Sequence, residues 1–250
     1  MTAHLFSLLV AAALAIAAGP AAAASKHSAR KTDAAHRARH EPSAVFRVGP
    51  DLAGCAAGAC GGYLVSEAGR PLTRCADGST AAQCPVARLE PSGGDAPDAD
   101  TLAELALAPP DRRSLVAGTI EAAAGKSAGA VLRVTKAWRA AGEGAEEGSL
   151  FSVRDSGIRC VKPPCPTIRA TLVGGDTEIL VAEVDLERAK ASPADVDEAA
   201  DALAGEGILV AGAPAPGPTA DIDVLLASRF YLRVPASSPC EDAGARCSGR

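Results

Sequence analysis

The segment 157–166 holds the residues of this chain that are best suited to chemistry at a surface. Cys160 and Cys165 enclose a Pro163-Pro164 pair, with four residues between the two cysteines. Each proline fixes its φ at about −65° and removes a backbone donor, so the segment can form neither a helix nor a central strand. We expect a rigid, exposed turn that is clipped by its own disulfide.

Two cations lie in the same turn. Arg159 and Lys162, together with Pro163 and Pro164, therefore form a candidate binding loop. A cation on a rigid loop can enter the specificity pocket of a trypsin-like protease, which makes protease inhibition an alternative function. Pro163 directly follows Lys162 and argues against a cleavable bond there, so Arg159 is the better candidate for such a contact.

Groups that could carry out catalysis are few. Ser156 lies in an Arg-Asp-Ser-Gly run that resembles a serine-protease nucleophile turn, but no histidine follows position 40 to activate it. Glu183, Asp185 and Glu187 alternate, which predicts that they share one face of a strand. Paired carboxylates serve glycoside hydrolysis or bind calcium, although a solvated sheet face commonly gives the same pattern. We expect no enzyme, with a carboxylate-based hydrolase as an alternative.

Cysteines define the class of the protein. In an exported chain an even number of cysteines implies disulfides, because that compartment keeps thiols oxidised. Zinc sites favour closer cysteine pairs or additional histidines. We expect local pairs, although spacing leaves the connectivity open: Cys160 with Cys165, Cys240 with Cys247, and Cys55, Cys60, Cys75 and Cys84 among themselves.

Neither a metal nor a cofactor is expected. His36 and His40 have the spacing of half a zinc site, but no cysteine or carboxylate at a suitable distance completes it. Lys126 lies in a Gly-Lys-Ser run, yet Ile120 stands where a phosphate-binding loop requires glycine.

The N-terminus is predicted to direct export. Residues 1–24 contain an apolar run from Leu5 to Ala18, a Gly-Pro break and a small-residue cleavage site, and the run is too short to span a bilayer. No cysteine lies near the cleavage point. We therefore expect a secreted or periplasmic protein that begins near Ser25 and is not a lipoprotein.

Composition divides the remaining chain into five segments. Residues 25–44 form a flexible tail with a charge of +3, which leaves −8 for the rest of a chain whose net charge is −5. This acidic balance disfavours nucleic acid or an anionic membrane as a partner. A cysteine-rich module at 45–90, a loop with a short helix at 91–113, a β-rich body at 114–234 and a cysteine-containing tail at 235–250 follow.

Turn residues and apolar runs predict a mainly β fold with one or two short helices, arranged as a disulfide-stabilised antiparallel sheet or a small barrel or sandwich. Residues 63–65 and 72–73 are expected to form a hairpin. Helices are expected at 100–107, with Asp98 or Asp100 as N-cap, and from Ser192-Pro193 to about Ala204. The predicted strands of the β-rich body are 115–118, 131–134, 150–153, 168–173, 178–186, 208–212 and 224–234.

One short run occurs twice. Leu-Val-Ala-Gly stands at 115–118 and again at 209–212, and each copy is followed by a loop and by a strand with an aromatic residue near its end. An internal duplication and a pair of similar hairpins in one sheet both explain this echo.

Several motifs resemble an uncharacterised family of exported, cysteine-rich bacterial domains, a domain of unknown function seen mainly in myxobacteria. They are Cys-x4-Cys-Gly-Gly-Tyr at 55–63, Thr-Arg-Cys-Ala-Asp-Gly at 73–78, Gly-Ile-Arg-Cys-x3-Pro-Cys-Pro at 157–166, and Leu-Val-Ala-Gly with a later Phe-Tyr-Leu-Arg. The resemblance spans about Val45 to Val234 and implies a secreted, disulfide-bonded domain without assigned catalytic residues.

Together these features predict a secreted, disulfide-stabilised binding or envelope-structural protein without catalytic machinery. Its expected partner is an unidentified protein or envelope component, and no membrane span is expected.

Overall fold

The computed structural model describes residues 44–52, 61–123, 129–162, 164–217 and 222–236, and these residues are mainly β, as the sequence predicts. The described residues contain two α-helices, α1 (Ala99–Ala106) and α2 (Pro193–Ala204), and neither is long and apolar enough to cross a bilayer. The strands are β1 (Ala44–Pro50), β2 (Tyr63–Glu67), β3 (Thr73–Arg74), β4 (Thr80–Ala81), β5 (Cys84–Val86), β6 (Arg88–Pro91), β7 (Leu115–Ala122), β8 (Ala130–Ala141), β9 (Ser149–Asp155), β10 (Ile168–Leu172), β11 (Glu178–Asp185), β12 (Ile208–Pro216) and β13 (Asp223–Val234).

Both helices begin at predicted caps. An Asp98 carboxylate oxygen accepts a hydrogen bond from Thr101 N at 2.7 Å, and the Ser192 hydroxyl accepts one from Asp195 N at 3.2 Å. These side chains satisfy backbone donors that have no partner inside the helix. Gly205 follows the last residue of α2, also as predicted.

The first half of the chain closes into a barrel. β1 pairs antiparallel with β2 and β7, and β7 pairs antiparallel with β8. β2 also pairs with β5, and β6 runs parallel to β8 and closes the ring. Only Ala87 separates β5 from β6, so the two act as one bent strand. Strands from both the 45–90 and the 114–234 segments thus build this barrel.

The second half repeats the same connectivity. β9 pairs antiparallel with β10 and β12, β10 pairs with β11, and β12 pairs with β13. β11 runs parallel to β13 and closes the second ring. In each barrel the first strand lies between the second and the fourth, the third and fifth are parallel, and a helix links the third to the fourth. This is the connectivity of the five-stranded OB barrel.

The repeated Leu-Val-Ala-Gly run begins the fourth strand of each barrel. Both β7 and β12 shift register immediately before the glycine, at Gly118 and at Gly212. A Cβ on Gly118 would lie 2.0 Å from the Arg133 carbonyl oxygen, and one on Gly212 would lie 2.2 Å from that of Leu226. Because neither position has room for a side chain, the run marks the same β-bulge in two copies of one barrel.

Each barrel encloses its own core against its own helix. Leu102 of α1 is buried in the first core and Ala199 of α2 in the second. Antiparallel pairing of β8 with β13 joins the barrels, and a third apolar cluster that includes Leu115, Leu209 and Tyr231 packs between them. The two barrels therefore share a buried interface.

The expected hairpin between 63–65 and 72–73 is wrong. β2 pairs with β1 and β5, whereas β3 pairs with β4. Barrel closure occupies both edges of β2, so the nearby strand has no free edge to join. The buried Thr73 hydroxyl instead accepts a hydrogen bond from Glu67 N at 2.7 Å. The turn expected at Asp77-Gly78 is present and links β3 to β4.

Candidate functional site

The predicted binding loop connects β9 to β10, the first two strands of the second barrel. Ser156 N donates to Thr167 O at 2.8 Å and closes the base of the loop. The Ser156 hydroxyl donates to Pro166 O at 3.1 Å and accepts from Ile158 N at 3.1 Å. Ser156 therefore orders the loop, and no histidine occurs among the described residues to activate it as a nucleophile.

Arg159 is held by Asp155 at the end of β9. The Nη2 and Nη1 atoms of Arg159 donate to the two carboxylate oxygens at 2.7 and 3.0 Å. Hydrogen bonds from Arg159 and from Gly157 N lower the pKa of Asp155 to about 2. The Arg159 side chain is 68% exposed, so this bidentate pair orients the guanidinium and contributes little to folding.

The disulfide expected between Cys160 and Cys165 is present, with the two Cα atoms 5.9 Å apart. Val161 at the apex is the most exposed large hydrophobic side chain in the described part of the chain. Lys162 beside it is exposed and makes no hydrogen bond or ion pair with another described residue. The loop thus presents an apolar side chain and a free cation on a clipped support.

A second disulfide joins two of the first four cysteines. Cys75 and Cys84 are bonded, with Cα atoms 5.4 Å apart, and the bond ties the hairpin of β3 and β4 to β5. The remaining cysteines lie outside the described residues: Cys55, Cys60, Cys240 and Cys247.

Other sequence features also lie outside the described residues. They are the segment 1–24, the tail up to residue 43, His36 and His40, the Gly-Lys-Ser run around Lys126, Pro163, and the C-terminal tail from residue 237.

The three alternating carboxylates line one groove of about 590 Å³. Glu183 and Asp185 lie on β11, but Glu187 belongs to the 3-10 turn Glu187–Ala189, so the expectation that all three share a strand face is wrong. The Asp185 carboxylate accepts a hydrogen bond from Glu187 N at 2.9 Å, which favours a turn over continued strand. Val196 and Leu203 of α2 form an apolar wall. No cluster of three metal-ligating side chains occurs in the described ranges.

A charged network between the barrels was not predicted. Arg47 of β1 pairs with Glu146 in the connection between β8 and β9, and the Tyr231 hydroxyl donates to Glu146 at 2.8 Å. Burial opposes ionisation of Glu146, but hydrogen bonding to Arg47 and its charge outweigh burial, so the pKa of Glu146 is lowered. Burial and the Glu146 charge raise the pKa of Tyr231.

This network fastens the connection between the barrels. The buried Arg229 donates to Gly144 O at 2.9 Å and also to Asp111 O. Arg47 and Glu146 are 99 residues apart in sequence, and no local pattern indicates that they meet. Only the strand pairing places them together.

Comparison with known proteins identifies a family. No curated protein and no solved structure matches the chain significantly. A family model described as a domain of unknown function (DUF6748) matches residues 44–237, which include both barrels. The resemblance of the cysteine motifs to a domain of unknown function is thereby confirmed. Because the match covers most of the chain, the protein belongs to the DUF6748 family.

Proposed function

We propose that this protein is a binding module that contacts a protein partner through the clipped loop, residues 156–167. The observation that carries the proposal is that Val161 is 107% exposed relative to its reference state on a loop that is closed by a disulfide. A loop already fixed in one conformation loses less entropy when it binds. Exposure of an apolar side chain on such a support favours recognition over a purely structural role.

The position of the loop supports a binding role. In OB barrels the connection between the first and second strands is one of two loops that contact ligands. A fold does not specify its ligand, so the partner has to be inferred from the loop itself. Val161 fits an apolar pocket, and Lys162 and Arg159 beside it favour an acidic rim around that pocket. A net charge of −5 disfavours nucleic acid.

The proposed location is outside the cytoplasm of a bacterial cell. Disulfides such as Cys75–Cys84 and Cys160–Cys165 persist in oxidising compartments. Together with the apolar run in residues 1–24, they support export to the periplasm or medium after cleavage near Ser25. N-terminal sequencing of the exported protein tests this point, and an intact Met1 would contradict it.

A photo-crosslinking residue at position 161 tests the binding proposal in an envelope and culture-medium fraction. The matched control carries the same residue at position 107, because Leu107 is also an exposed apolar side chain, at 68%. We expect a discrete adduct at position 161 alone. Excess unlabelled wild-type protein should suppress it, whereas the Val161→Ser protein should not. Equal suppression by both competitors would remove the loop from the interface.

Inhibition of a trypsin-like protease is a second candidate, because Lys162 is exposed at the apex and has no ion pair among the described residues. Pro163 directly after Lys162 still argues against a cleavable bond at that position. Arg159 is less available than the sequence suggested, because leaving Asp155 would break two hydrogen bonds. A protease panel with the Lys162→Ala and Arg159→Ala variants separates the two cations. Absence of inhibition across the panel would eliminate this candidate.

The carboxylate-based hydrolase receives less support. Among the described residues, no aromatic side chain lines the groove at Glu183 and Asp185, although sugar-binding sites commonly use such side chains as stacking platforms. The hypothesis requires an activity in purified protein that is lost in Glu183→Gln or Asp185→Asn.

A further inference from the structure

A second groove opens where the two barrels meet, and we call it the inter-barrel groove. It has a volume of about 400 Å³ and is lined from both barrels. Its lining includes Lys136 and Trp138 of β8, Ser152 of β9, Arg233 of β13, and Glu206 in the connection between α2 and β12. Small-molecule sites typically have volumes of roughly 300–1,000 Å³ and often lie between domains. Its size and position are those of a ligand site.

The floor of the groove is apolar. Trp138, the single tryptophan of the chain, is partly buried and packs on the cluster between the barrels. Leu209 and Ala117 beside it are 4% and 5% exposed. The Arg233 guanidinium lies 5.5 Å from the centroid of the Trp138 ring, within the range of a cation–π contact.

The wall of the groove carries incompletely compensated positive charge. Arg233 is 11% exposed, its Nη1 lies 3.8 Å from Glu206, and its Nε is buried without a hydrogen-bond partner among the described residues. A distance of 3.8 Å is too long for a hydrogen bond. Within the described part of the chain, the one hydrogen bond of the Arg233 side chain runs from Nη2 to Asp95 O, at 2.7 Å. Lys136 is exposed and has no ion pair in the described part of the chain.

At the opposite end of the interface between the barrels, the position equivalent to Trp138 is occupied by Tyr231, and a carboxylate is bound there. Leu115 pairs with Trp138 across β7 and β8, and Leu209 pairs with Tyr231 across β12 and β13, both before the repeated bulge. Trp138 and Tyr231 therefore occupy the same place in their respective barrels. At Tyr231 a carboxylate, that of Glu146, lies against the aromatic side chain.

The charged neighbours are equivalent as well. By the same pairing, Lys136 stands opposite Ala117 as Arg229 stands opposite Ala211. Thus a cation accompanies the aromatic residue in each copy. At one end the chain supplies its own carboxylate, that of Glu146, within hydrogen-bond distance of the aromatic hydroxyl. At the Trp138 end the carboxylate that lines the groove, Glu206, forms only a long ion pair with Arg233, at 3.8 Å.

We propose that the inter-barrel groove binds a small organic anion that consists of a carboxylate on a flat apolar body. The carboxylate pairs with Arg233 and Lys136, as Glu146 pairs with Arg47 at the other end. The apolar body lies against Trp138 and Leu209. This site is separate from the clipped loop and does not depend on its function.

Trp138 allows a direct test, because all tryptophan fluorescence arises from the groove. The full-length protein is titrated with phenylacetate and with two control compounds. Phenylacetamide has the same shape but no charge, and acetate has the carboxylate but no apolar ring. We expect a saturable fluorescence change with phenylacetate and at least tenfold weaker binding of the other two. Calorimetric titration of the same pairs confirms that the signal reports binding and not collisional quenching.

Two variants locate the site. Lys136→Gln removes an exposed charge without an ion pair and should weaken phenylacetate binding about two- to fivefold while the thermal midpoint is unchanged. Lys162→Gln on the clipped loop is the matched control and should bind as the wild type does. No saturable response to phenylacetate, equal affinity for phenylacetamide, or an unchanged affinity in Lys136→Gln would each overturn the proposal.

Discussion

The repeated glycines provide the strictest test of the double-barrel architecture. In Gly118→Ala and Gly212→Ala the new methyl group would lie 2.0 and 2.2 Å from a backbone carbonyl oxygen of the adjacent strand. Because backbone has to move, each change should fall at the upper end of the about 1–3 kcal/mol that overpacking costs. For a domain of this size 1 kcal/mol shifts the thermal midpoint by roughly 2–4 °C, so about 3 kcal/mol corresponds to a decrease of about 6–12 °C.

Gly49→Ala is the matched control for these variants. Gly49 also lies in a strand, β1, but a Cβ there would lie 3.5 Å from the Arg113 guanidinium carbon, which is ordinary van der Waals contact. Alanine has fewer unfolded conformations than glycine, so this variant should equal the wild type or gain up to about 1 kcal/mol. Scanning calorimetry measures all three. If the thermal midpoint of either Gly118→Ala or Gly212→Ala equalled that of Gly49→Ala, the argument that both glycines lie at equivalent bulges would be refuted.

Three further predictions concern the cross-links and charges. Replacing both Cys160 and Cys165 by alanine should lower the free energy of unfolding by about 2 kcal/mol, as expected for so short a loop. A denaturant titration that shows the same stability as the wild type would contradict the loop-entropy argument. Folding lowers the pKa of Glu146, so its contribution to stability is complete above its unfolded-state pKa and is lost as the pH falls through its folded-state pKa. Glu146→Gln should therefore be less stable than the wild type at neutral pH and equally stable in acid. Glu143→Gln, which removes a carboxylate from an exposed ion pair, is the control and should have little effect on stability. Mass spectrometry of an unreduced digest should find Cys55 linked to Cys60. These two cysteines lie in sequence between β1 and β2, just as the bonded Cys160 and Cys165 lie between β9 and β10. Free thiols at both positions would contradict this prediction.

Local sequence signals predicted the elements well, because the forces that define them are local. Ser192-Pro193 and Gly205 mark the ends of α2 through backbone donors and acceptors within one turn. Cys160 and Cys165 are close enough in sequence that their pairing needs no tertiary information. Strand pairing does need it. The hairpin expected at 63–73 failed because barrel closure places β2 between β1 and β5, strands on either side of it in sequence.

Side-chain partners were the least predictable feature of the candidate sites. The sequence predicts an exposed cation at Arg159 but not its partner, and Asp155, four residues earlier, holds it through two hydrogen bonds. That contact was within reach of the sequence, because a carboxylate near an arginine in one loop is a recognisable pattern. Arg47 and Glu146, by contrast, meet only because the barrels pack together. The alternation of Glu183, Asp185 and Glu187 predicts one shared strand face, but the strand ends at Asp185, before the third carboxylate.

Comparing equivalent positions of the two barrels distinguishes residues that the shared fold requires from residues that differ between the barrels. Equivalent core positions keep their character: Phe46 pairs with Val116 as Phe151 pairs with Val210. One difference lies at the interface, where Arg47 corresponds to Ser152. At the end that contains Arg47, the chain closes the interface with its own carboxylate. At the Ser152 end, the cations remain incompletely compensated beside an open groove. Because the shared barrel fold accounts for the equivalent core residues but not for this asymmetry, the groove at the Ser152 end is where we expect a ligand to bind.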